Sequence, residues 1–359
     1  MTNDDKPPSL LQGKPKDWFR KILIVRSDVV REEFPTEEAY LSEAECITRS
    51  QAVADVLGKL GVETLVIPAD EKLAERLAAE KPDLCINFVD TVHGSGALSS
   101  IVPGIFELLQ IPYVGAGTLG FALGNNKYLT KTLLEAWELP TPQYQLFRTH
   151  TQELDYELRY PMIVKLNEEH GSLGIDTNSV VTNPRELRAR VEWLIKTYKQ
   201  PVLAEEFIEN ARELTVVVLE ATQRKVFLSE RKFEVPNSQF RLLTFETKWA
   251  TDLGREEPVK YVPVTDLNKN LIANIKDDVR TAFDILRMDD LGRFDVMLDR
   301  YNNYYIVDAN DNPSLGPGTS VSFSAQANGQ KFETILINIL QRNKLDILQR
   351  ATHPENQIL

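Results

Sequence analysis

In the first third of the chain, short apolar runs alternate with segments of helical periodicity. The runs read KILIVRSD, ETLVIPA, LCINFVD and PYVGAG, and the segments between them predict helices within 37–60 and near 70–80 and 101–110. Strands that alternate with helices indicate a parallel sheet with helices on both faces. We therefore predict an α/β domain over residues 21–125 that follows a disordered tail over residues 1–20.

The pattern changes after a helix predicted from Lys127 to Trp137, which Pro140 and Pro142 close. The later apolar runs read PMIVKLN, LAEEFI, ELTVVVLE and KVFLSERKFE, and they predict strands. This second pattern is typical of an α+β fold, because strands follow one another with few helices between them.

Three further helices are predicted near 185–198, near 269–287 and from about Lys331, and residues 244–263 are predicted as a long irregular loop. We divide this part of the chain into three units. They are a central subdomain over residues 126–210, a C-terminal subdomain over residues 211–345 and a tail over residues 346–359.

The stretch GRFDVMLDRYNNYYIVDANDNPSLGPGTS, residues 292–320, predicts a β-hairpin that carries carboxylates on one face. With Asn302–Asn303 as a two-residue turn, Asp295 lies opposite Asn310. Side chains two apart on a strand share a face, so Asp295, Asp308 and Asn310 converge on one patch. Such oxygen ligands suit Mg²⁺, which few protein groups hold and nucleotide phosphates complete. The alternative is a solvated strand end at which Asp and Asn form turns.

Composition and charge exclude several classes of protein. The 359 residues, 42% of them hydrophobic, are enough for two or three domains. A net charge of −12 argues against general nucleic-acid binding, and no apolar run approaches the length of a membrane span. The N-terminus lacks the apolar core of a signal peptide, and Cys46 and Cys85 follow no motif spacing. We therefore expect a cytoplasmic protein with reduced thiols.

Three lysines lie in settings that favour contact with phosphate. Lys127 begins a predicted helix, Lys165 ends the apolar run PMIVK, and Lys248 lies in the long loop. After the second of them, NEEHGSLGID places Gly171 and Gly174 around a serine. Glycine-rich loops let backbone N–H groups approach phosphate oxygens. Solvated lysines and a simple hairpin turn are the alternatives.

Six segments in a fixed order make the chain resemble the ATP-grasp superfamily, most closely the D-alanine–D-alanine ligase family. The resemblance covers residues 20–345 approximately. The segments are LLQIPYVGAG with NNKYLTK and LPTPQYQLF, then PMIVKLNEEHGSLGI, then AEEFIENARELTV, and finally the hairpin stretch. The resemblance implies an ATP-grasp fold of α/β and α+β parts behind an N-terminal parallel-sheet domain.

The resemblance also implies a reaction. In the family, a carboxylate attacks the γ-phosphate of ATP to give an acyl phosphate and ADP, and an amine then displaces phosphate from the acyl carbon. Charge neutralisation by metal ions supports such a transfer. The implied ligands are ATP, one or two Mg²⁺ ions with Mn²⁺ as a substitute, and a small carboxylic acid and amine, both amino acids. The resemblance implies a homodimer. It implies neither a nucleic acid nor a membrane as a partner.

By position, the resemblance assigns roles to individual residues. Arg293 matches an arginine that stabilises charge at the tetrahedral centre, a role that suits a permanently charged planar donor, although a structural ion pair is the alternative. The resemblance also places Lys248 and Ser172 near the reacting groups. The remaining matches are metal ligands (Asp295, Asp308, Asn310), phosphate contacts (Lys127, Lys165, Gly171, Gly174) and adenine or ribose contacts (Glu205, Glu206, Phe207, Ile208, Glu213).

The first-substrate region departs from the family pattern. The first strand runs into RSDVVREEFPTEEAY without a glycine, so Glu37 or Glu38 is our candidate for the carboxylate that binds an amino group. The segment HGSGALSSIVPG keeps His93, a candidate substrate contact or loop-stabilising residue, but lacks the family's acidic pair. In the phosphate loop, Gly171 stands where the family has its first serine.

Two further substrate regions complete the set of candidates. Trp249 stands where the family has a tyrosine. Beyond the hairpin, NPSLGPGTS offers Ser314, Thr319 and Ser320 to the carboxylate of the second substrate, with turn formation as the alternative. Because the departures concern groups that orient substrate, the sequence predicts a ligase for a pair other than two D-alanines.

Two other functions fit the same sequence. One is a nucleotide-binding regulatory protein of the same fold that does not catalyse ligation, and the other is a phosphoryl-transfer enzyme that stops at a phosphorylated product. A lapsed site has no chemical reason to keep an arginine beside two metal-binding carboxylates, as Arg293, Asp295 and Asp308 are here. We therefore favour the ligase.

Overall fold

The N-terminal part of the chain is built on a parallel sheet, as predicted. The computed structural model describes residues 11–155, 157–169, 171–233 and 259–352. The first four strands are β1 (Lys21–Arg26), β2 (Glu63–Pro68), β3 (Leu84–Phe88) and β4 (Tyr113–Val114). They form a parallel four-stranded sheet in the order β2-β1-β3-β4.

Helices cover both faces of this sheet. The helices are α1 (Pro15–Trp18), α2 (Glu37–Lys59), α3 (Leu73–Glu80), α4 (Ile101–Leu108) and α5 (Thr118–Gly124). Alternate residues of β1 enter different cores, Ile22 with Leu57 of α2 on one side and Leu23 with Leu77 of α3 on the other. Thr36 caps α2 by accepting a hydrogen bond from a backbone N–H. Two buried faces explain why β1 and β3 are continuous apolar runs.

A second sheet of four strands forms the central part. The elements are α6 (Lys127–Ala136), β5 (Tyr144–Phe147), β6 (Met162–Leu166), β7 (Val180–Val181), α7 (Pro184–Tyr198) and β8 (Val202–Glu206). The strands lie in the order β5-β8-β6-β7, and the pairs are antiparallel. The amphipathic helix α7 packs Leu187, Val191 and Leu194 into the core of this unit.

The third sheet carries the predicted hairpin. The elements are β9 (Arg212–Leu219), β10 (Lys225–Phe233), β11 (Val259–Pro263), α8 (Lys269–Ile285), β12 (Leu291–Leu298), β13 (Tyr304–Asn310), α9 (Ser320–Ala327) and α10 (Phe332–Thr352). The five antiparallel strands lie in the order β11-β10-β9-β12-β13. Val216 packs towards α8, whereas Val217 joins the core that β1 and α10 share. This shared core joins the C-terminal sheet to the N-terminal one.

The predicted register of the hairpin is wrong, although the predicted strands are confirmed. Leu298 pairs with Tyr304, so residues 299–303 form a longer loop than a two-residue turn. The Asp299 carboxylate closes this loop by accepting hydrogen bonds from the backbone N–H groups of Tyr301 and Asn303. A β-bulge follows Asp295 and shifts the register once more.

Other differences from the sequence prediction are local. Residues 259–263, predicted as the end of an irregular loop, form β11, and residues 244–258 lie outside the described part of the chain. Trp18 is buried within the segment predicted as a disordered tail, and α10 continues to Thr352, beyond the predicted boundary. Among the described helices, none combines the length and apolarity that crossing a bilayer requires.

Candidate active site

All three sheets border a cleft that consists of two cavities. The large cavity, of about 790 Å³, is lined by the carboxyl end of β3, by α2, by residues 168, 169 and 171–173 and by parts of β12 and β13. The small cavity, of about 150 Å³, is lined by Lys165 of β6 and by the end of β8. Both cavities share Asp295 and Asp308, so these carboxylates lie where the two meet.

The predicted metal ligands lie side by side on β12 and β13. Asp295 pairs directly with Asp308, and Asn310 lies two residues further on the same face, opposite Arg293. The convergence of these side chains is therefore confirmed even though the register differs, because a shift by an even number of residues preserves the face.

Each of these carboxylates faces a cation of the chain itself. Asp308 Oδ1 lies 3.0 Å from Lys127 Nζ, and Asp295 Oδ1 lies 3.0 Å from an Nη of Arg231. Among the described residues, no group of three or more His, Cys, Asp or Glu side chains is arranged to hold a metal. Two carboxylates and an amide nevertheless fit Mg²⁺, which is usually bound by one or two carboxylates and completed by water and phosphate oxygens.

Glu205 is held between two lysines at the small cavity. Its carboxylate oxygens lie 2.6 Å from Lys131 Nζ and 2.6 Å from Lys165 Nζ, and the glutamate is only 2% exposed. Burial alone would raise the pKa of Glu205, but the two ammonium groups outweigh it and lower that pKa. Burial lowers the pKa of Lys131 to about 8, although Glu205 opposes the shift. Lys165 also donates to Val307 O at 3.0 Å and so joins the two sheets.

Two basic residues of this site were missed in the sequence. Lys131 follows Lys127 by one helical turn on α6, and this spacing was a signal that the residues share a face. Arg231 lies on β10 and bridges Asp295 with Glu213 Oε2, 3.2 Å away. No local pattern marks it, because its partners come from β9 and β12.

The predicted nucleotide contacts line the small cavity. They are Lys127, Lys165, Gly171, Ser172, Glu205, Glu206, Phe207, Ile208 and Glu213. Gly171 and Ser172 have φ angles of 73° and 64°, which place the loop in the left-handed region. Gly174 is not among the lining residues, and a Cβ atom there would lie 3.2 Å from Leu194. Close packing against α7 therefore explains why residue 174 is a glycine.

Arg293 and the segment after β13 line the large cavity. An Nη of Arg293 donates to Ser320 Oγ at 3.2 Å, and another lies 3.7 Å from Asp295. Ser314 accepts a hydrogen bond from Arg49 of α2. Thr319 is the N-cap of α9, and its hydroxyl accepts from the N–H of Ser322. The hydroxyl of Thr319 therefore has a structural partner, in line with the alternative of turn formation.

The end of the large cavity nearest the N-terminal sheet is acidic. Burial and the charge of Asp90 raise the pKa of Glu43 on α2 to about 8. Burial likewise raises the pKa of Glu169 to about 7 and that of Asp311 well above its ordinary value. These three side chains and Asp90, whose charge contributes to all three shifts, line the large cavity, and we call the four carboxylates the acidic cluster. The sequence analysis missed this cluster because its members come from four separate segments.

Several predicted substrate contacts are not brought to the cleft. Glu37 is exposed and pairs with Arg31, and Glu38 is exposed on the same turn of α2. His93 is exposed, and its Nδ1 lies 2.8 Å from Glu33, whose carboxylate raises the pKa of the imidazole. None of the three is among the residues that line either cavity. Lys248 and Trp249 lie outside the described residues.

Comparison with protein families and curated sequences gives a consistent result. Residues 133–341 match the family model "D-ala D-ala ligase C-terminus". A D-alanine–D-alanine ligase of Halorhodospira halophila is 32% identical over 250 residues, which are 69% of this chain and 76% of that protein. The uncharacterized protein y4sG of Sinorhizobium fredii is 27% identical over 299 residues, 81% of this chain and 86% of that protein.

The fold is also similar to solved structures. A D-alanine–D-alanine ligase from Bacillus anthracis in complex with ATP superposes with a TM-score of 0.70 at 18% identity and covers 92% of this chain and 99% of that one. At this identity the likeness concerns the fold, which is the ATP-grasp architecture predicted from the sequence.

Proposed function

We propose a substrate pair other than two D-alanines for this chain, which belongs to the D-alanine–D-alanine ligase family and is an ATP-dependent, ADP-forming ligase of a carbon–nitrogen bond. The substrates are a carboxylic acid that becomes an acyl phosphate and an amine that attacks it. Both are small molecules of the amino-acid class. The cytoplasmic location and the homodimer expected from the sequence stay predictions.

One observation gives the ligase function its main support. The charged residues of the small cavity contact the strand of the hairpin that carries the metal-ligand candidates. Lys165 reaches from β6 to Val307 O of β13, and Lys127 reaches from α6 to Asp308. A nucleotide between the second and third sheets would therefore have its phosphates beside both lysines and both metal-ligand candidates. Reaction by phosphoryl transfer depends on such positioning and charge neutralisation.

The roles of the chain's own residues follow from these positions. Asp295, Asp308 and Asn310 would hold Mg²⁺, which supplies neutralisation of the phosphate charge when it is bound. Glu205 is fixed by its two lysines at the far wall of the small cavity, where an adenine amino group would find an anionic acceptor. Gly171 and Ser172 line both cavities, and their backbone N–H groups would contact the γ-phosphate there.

Arg293 is our candidate for stabilising the oxyanion that forms when the amine attacks. It lies on β12 two residues from Asp295, and Ser320 orients its guanidinium by accepting a hydrogen bond. A guanidinium that is already held in place loses little entropy when charge develops on the substrate. The geometry therefore supports the role that the resemblance implies.

The departure from two D-alanines rests on the substrate end of the large cavity. Neither Glu37 nor Glu38 lines it, whereas Glu43 and Asp90 do. Such carboxylates favour a substrate with additional positive charge over a small zwitterion such as D-alanine, because a carboxylate is stabilised by a neighbouring cation.

The experiment is to measure ADP and phosphate release with ATP, Mg²⁺ and pooled amino acids of both hands, omitting one pool at a time. We expect ADP only when an acid and an amine are both present, and more of it with other amino acids than with D-alanine alone. ADP that needs the acid but not the amine would favour a phosphorylating enzyme. D-alanine as the best substrate of both sites would contradict the proposed substrate pair.

A further inference from the structure

Glu43 is a buried carboxylate that faces the large cavity. It lies on α2, is 8% exposed and is one of the residues that line the cavity. Among the residues that the structure describes, its Oε1 atom has no hydrogen-bond partner, while the hydroxyls of Ser27 and Thr91 lie near the carboxyl and partly offset the rise of its pKa. Leaving a buried carboxylate oxygen without a donor is costly, so such an atom in a cavity wall indicates a ligand with N–H groups.

The surroundings of Glu43 add negative charge. Asp90, just after β3, raises the pKa of Glu43 more than any other charged group, and Glu169 beside the phosphate loop acts in the same direction. Both carboxylates line the large cavity together with Glu43. Burial is the largest cause of the raised pKa values of Glu43 and Glu169, and the neighbouring carboxylates add to it.

The cluster does not have the geometry of a metal centre. Within the described residues, no three acidic, histidine or cysteine side chains converge closely enough to hold an ion. Carboxylates that line a cavity at wider spacing suit an organic cation, whose N–H donors point in several directions.

On the basis of the proposed ligase function, we infer that the acid substrate is a basic amino acid or a related acid whose side chain ends in an ammonium or guanidinium group, and that Glu43, supported by Asp90, recognises this cation. The cation belongs to the acid rather than to the reacting amine. The amine must be uncharged to attack the acyl phosphate, and neighbouring carboxylates would keep it protonated.

The test compares pairs of acids that differ in side-chain charge. Binding of lysine and norleucine, and of arginine and citrulline, each in both hands, is measured by calorimetry in the presence of Mg²⁺ and a non-hydrolysable ATP analogue. We expect at least one cationic member to bind about tenfold or more tightly than its neutral counterpart, as a buried charge-assisted hydrogen bond predicts. Equal affinities within every pair would overturn the inference.

The Glu43→Gln variant tests the residue itself. It should reduce the cationic preference to less than about threefold by weakening the binding of the cationic member of each pair. Asp55→Asn removes a carboxylate from the exposed face of the same helix, away from the cavity, and should keep the wild-type preference. A preference that survives Glu43→Gln would contradict the assignment to Glu43.

Release of ADP by the same samples separates this inference from the proposed function. ADP formed equally well with norleucine and lysine would leave the ligase standing and remove the cation site. A cationic preference in binding without ADP from any acid would support the site and contradict the ligase. The wild-type comparison needs no variant, so a folding defect in Glu43→Gln, detectable by its unfolding midpoint, does not affect it.

Discussion

The two ends of the cleft treat charge in opposite ways. At the nucleotide end, each important carboxylate is matched with cations of the chain, as Glu205 is with Lys131 and Lys165 and as Asp308 is with Lys127. At the substrate end, Glu43 lies among other carboxylates, and its pKa is raised rather than lowered. The difference lies in the partners, since burial acts on both glutamates in the same direction.

Under the proposed function, this contrast gives each end a different contribution. Ion pairs at the nucleotide end hold lysines and carboxylates in place before ATP binds, so little reorganisation remains for the phosphoryl transfer. The substrate end is left to be neutralised by the ligand, which makes its affinity depend on the charge of that ligand. Specificity and catalysis are thus assigned to different parts of one cleft.

The strongest expected effect comes from removing a metal-ligand candidate at the nucleotide end. We expect Asp308→Ala to lower kcat for ADP formation by about 10³-fold, because it deletes a charge at the reacting phosphates and leaves Lys127 without its carboxylate. Asp277→Ala on the exposed face of α8 is the matched control. Wild-type ADP formation by Asp308→Ala at saturating Mg²⁺ would show that the metal assignment is wrong.

A second variant tests the ion pairs themselves. Glu205→Gln should lower the free energy of unfolding by about 3 kcal/mol, because it leaves two lysine ammonium groups facing a neutral amide in a buried site. The measurement is urea unfolding, with Glu206→Gln, which is half-buried and not paired with either lysine, as the control. A loss below about 1 kcal/mol would mean that the lysines are not held by Glu205.

At the substrate end, the stability that Glu43 contributes should fall as the pH rises. The pKa of Glu43 is raised from 4.5 to about 8, so the folded protein keeps a proton that the unfolded chain releases above about pH 5. Its contribution to stability is therefore complete below pH 4.5 and is lost as the pH rises to about 8. Relative to wild type, Glu43→Gln should gain at least ~1 kcal/mol between pH 5 and pH 8. Unfolding at both pH values measures this, and a constant difference would contradict it.

The smallest effect expected is at the segment after β13, where two neighbouring hydroxyls have different partners. Thr319→Ala should cost about 1 kcal/mol of stability as a lost N-cap, with KM nearly unchanged. Ser320→Ala should leave stability within about 0.5 kcal/mol and lower kcat about tenfold, because Ser320 holds Arg293, our candidate for stabilising the oxyanion. Steady-state kinetics and thermal unfolding of the pair decide between a capping role and a substrate role.

Much of this architecture could be read along the chain. Apolar periodicity is a local property, and it placed α2, α7, α8 and the main strands close to where they lie. Residue chemistry is equally local, so Asp295, Asp308 and Lys165 were identified as candidates before any contact was known. Asp295 and Asp308 were predicted to converge, and they do so although the predicted register was wrong, because convergence depends only on which face of the strand the side chains occupy.

The tertiary structure decided the features that depend on partners distant in sequence. The hairpin register is a local exception, because Asp299 closes the longer loop through backbone N–H groups only two and four residues away. Arg231 reaches Asp295 only because β10, β9 and β12 lie side by side, and Lys131 reaches Glu205 only because α6 lies against β8. The pKa of Glu43 follows from burial beside Asp90, which is a property of the folded chain. Hydrophobic patterning specifies elements, whereas the electrostatics of a site arise from distances that only packing sets.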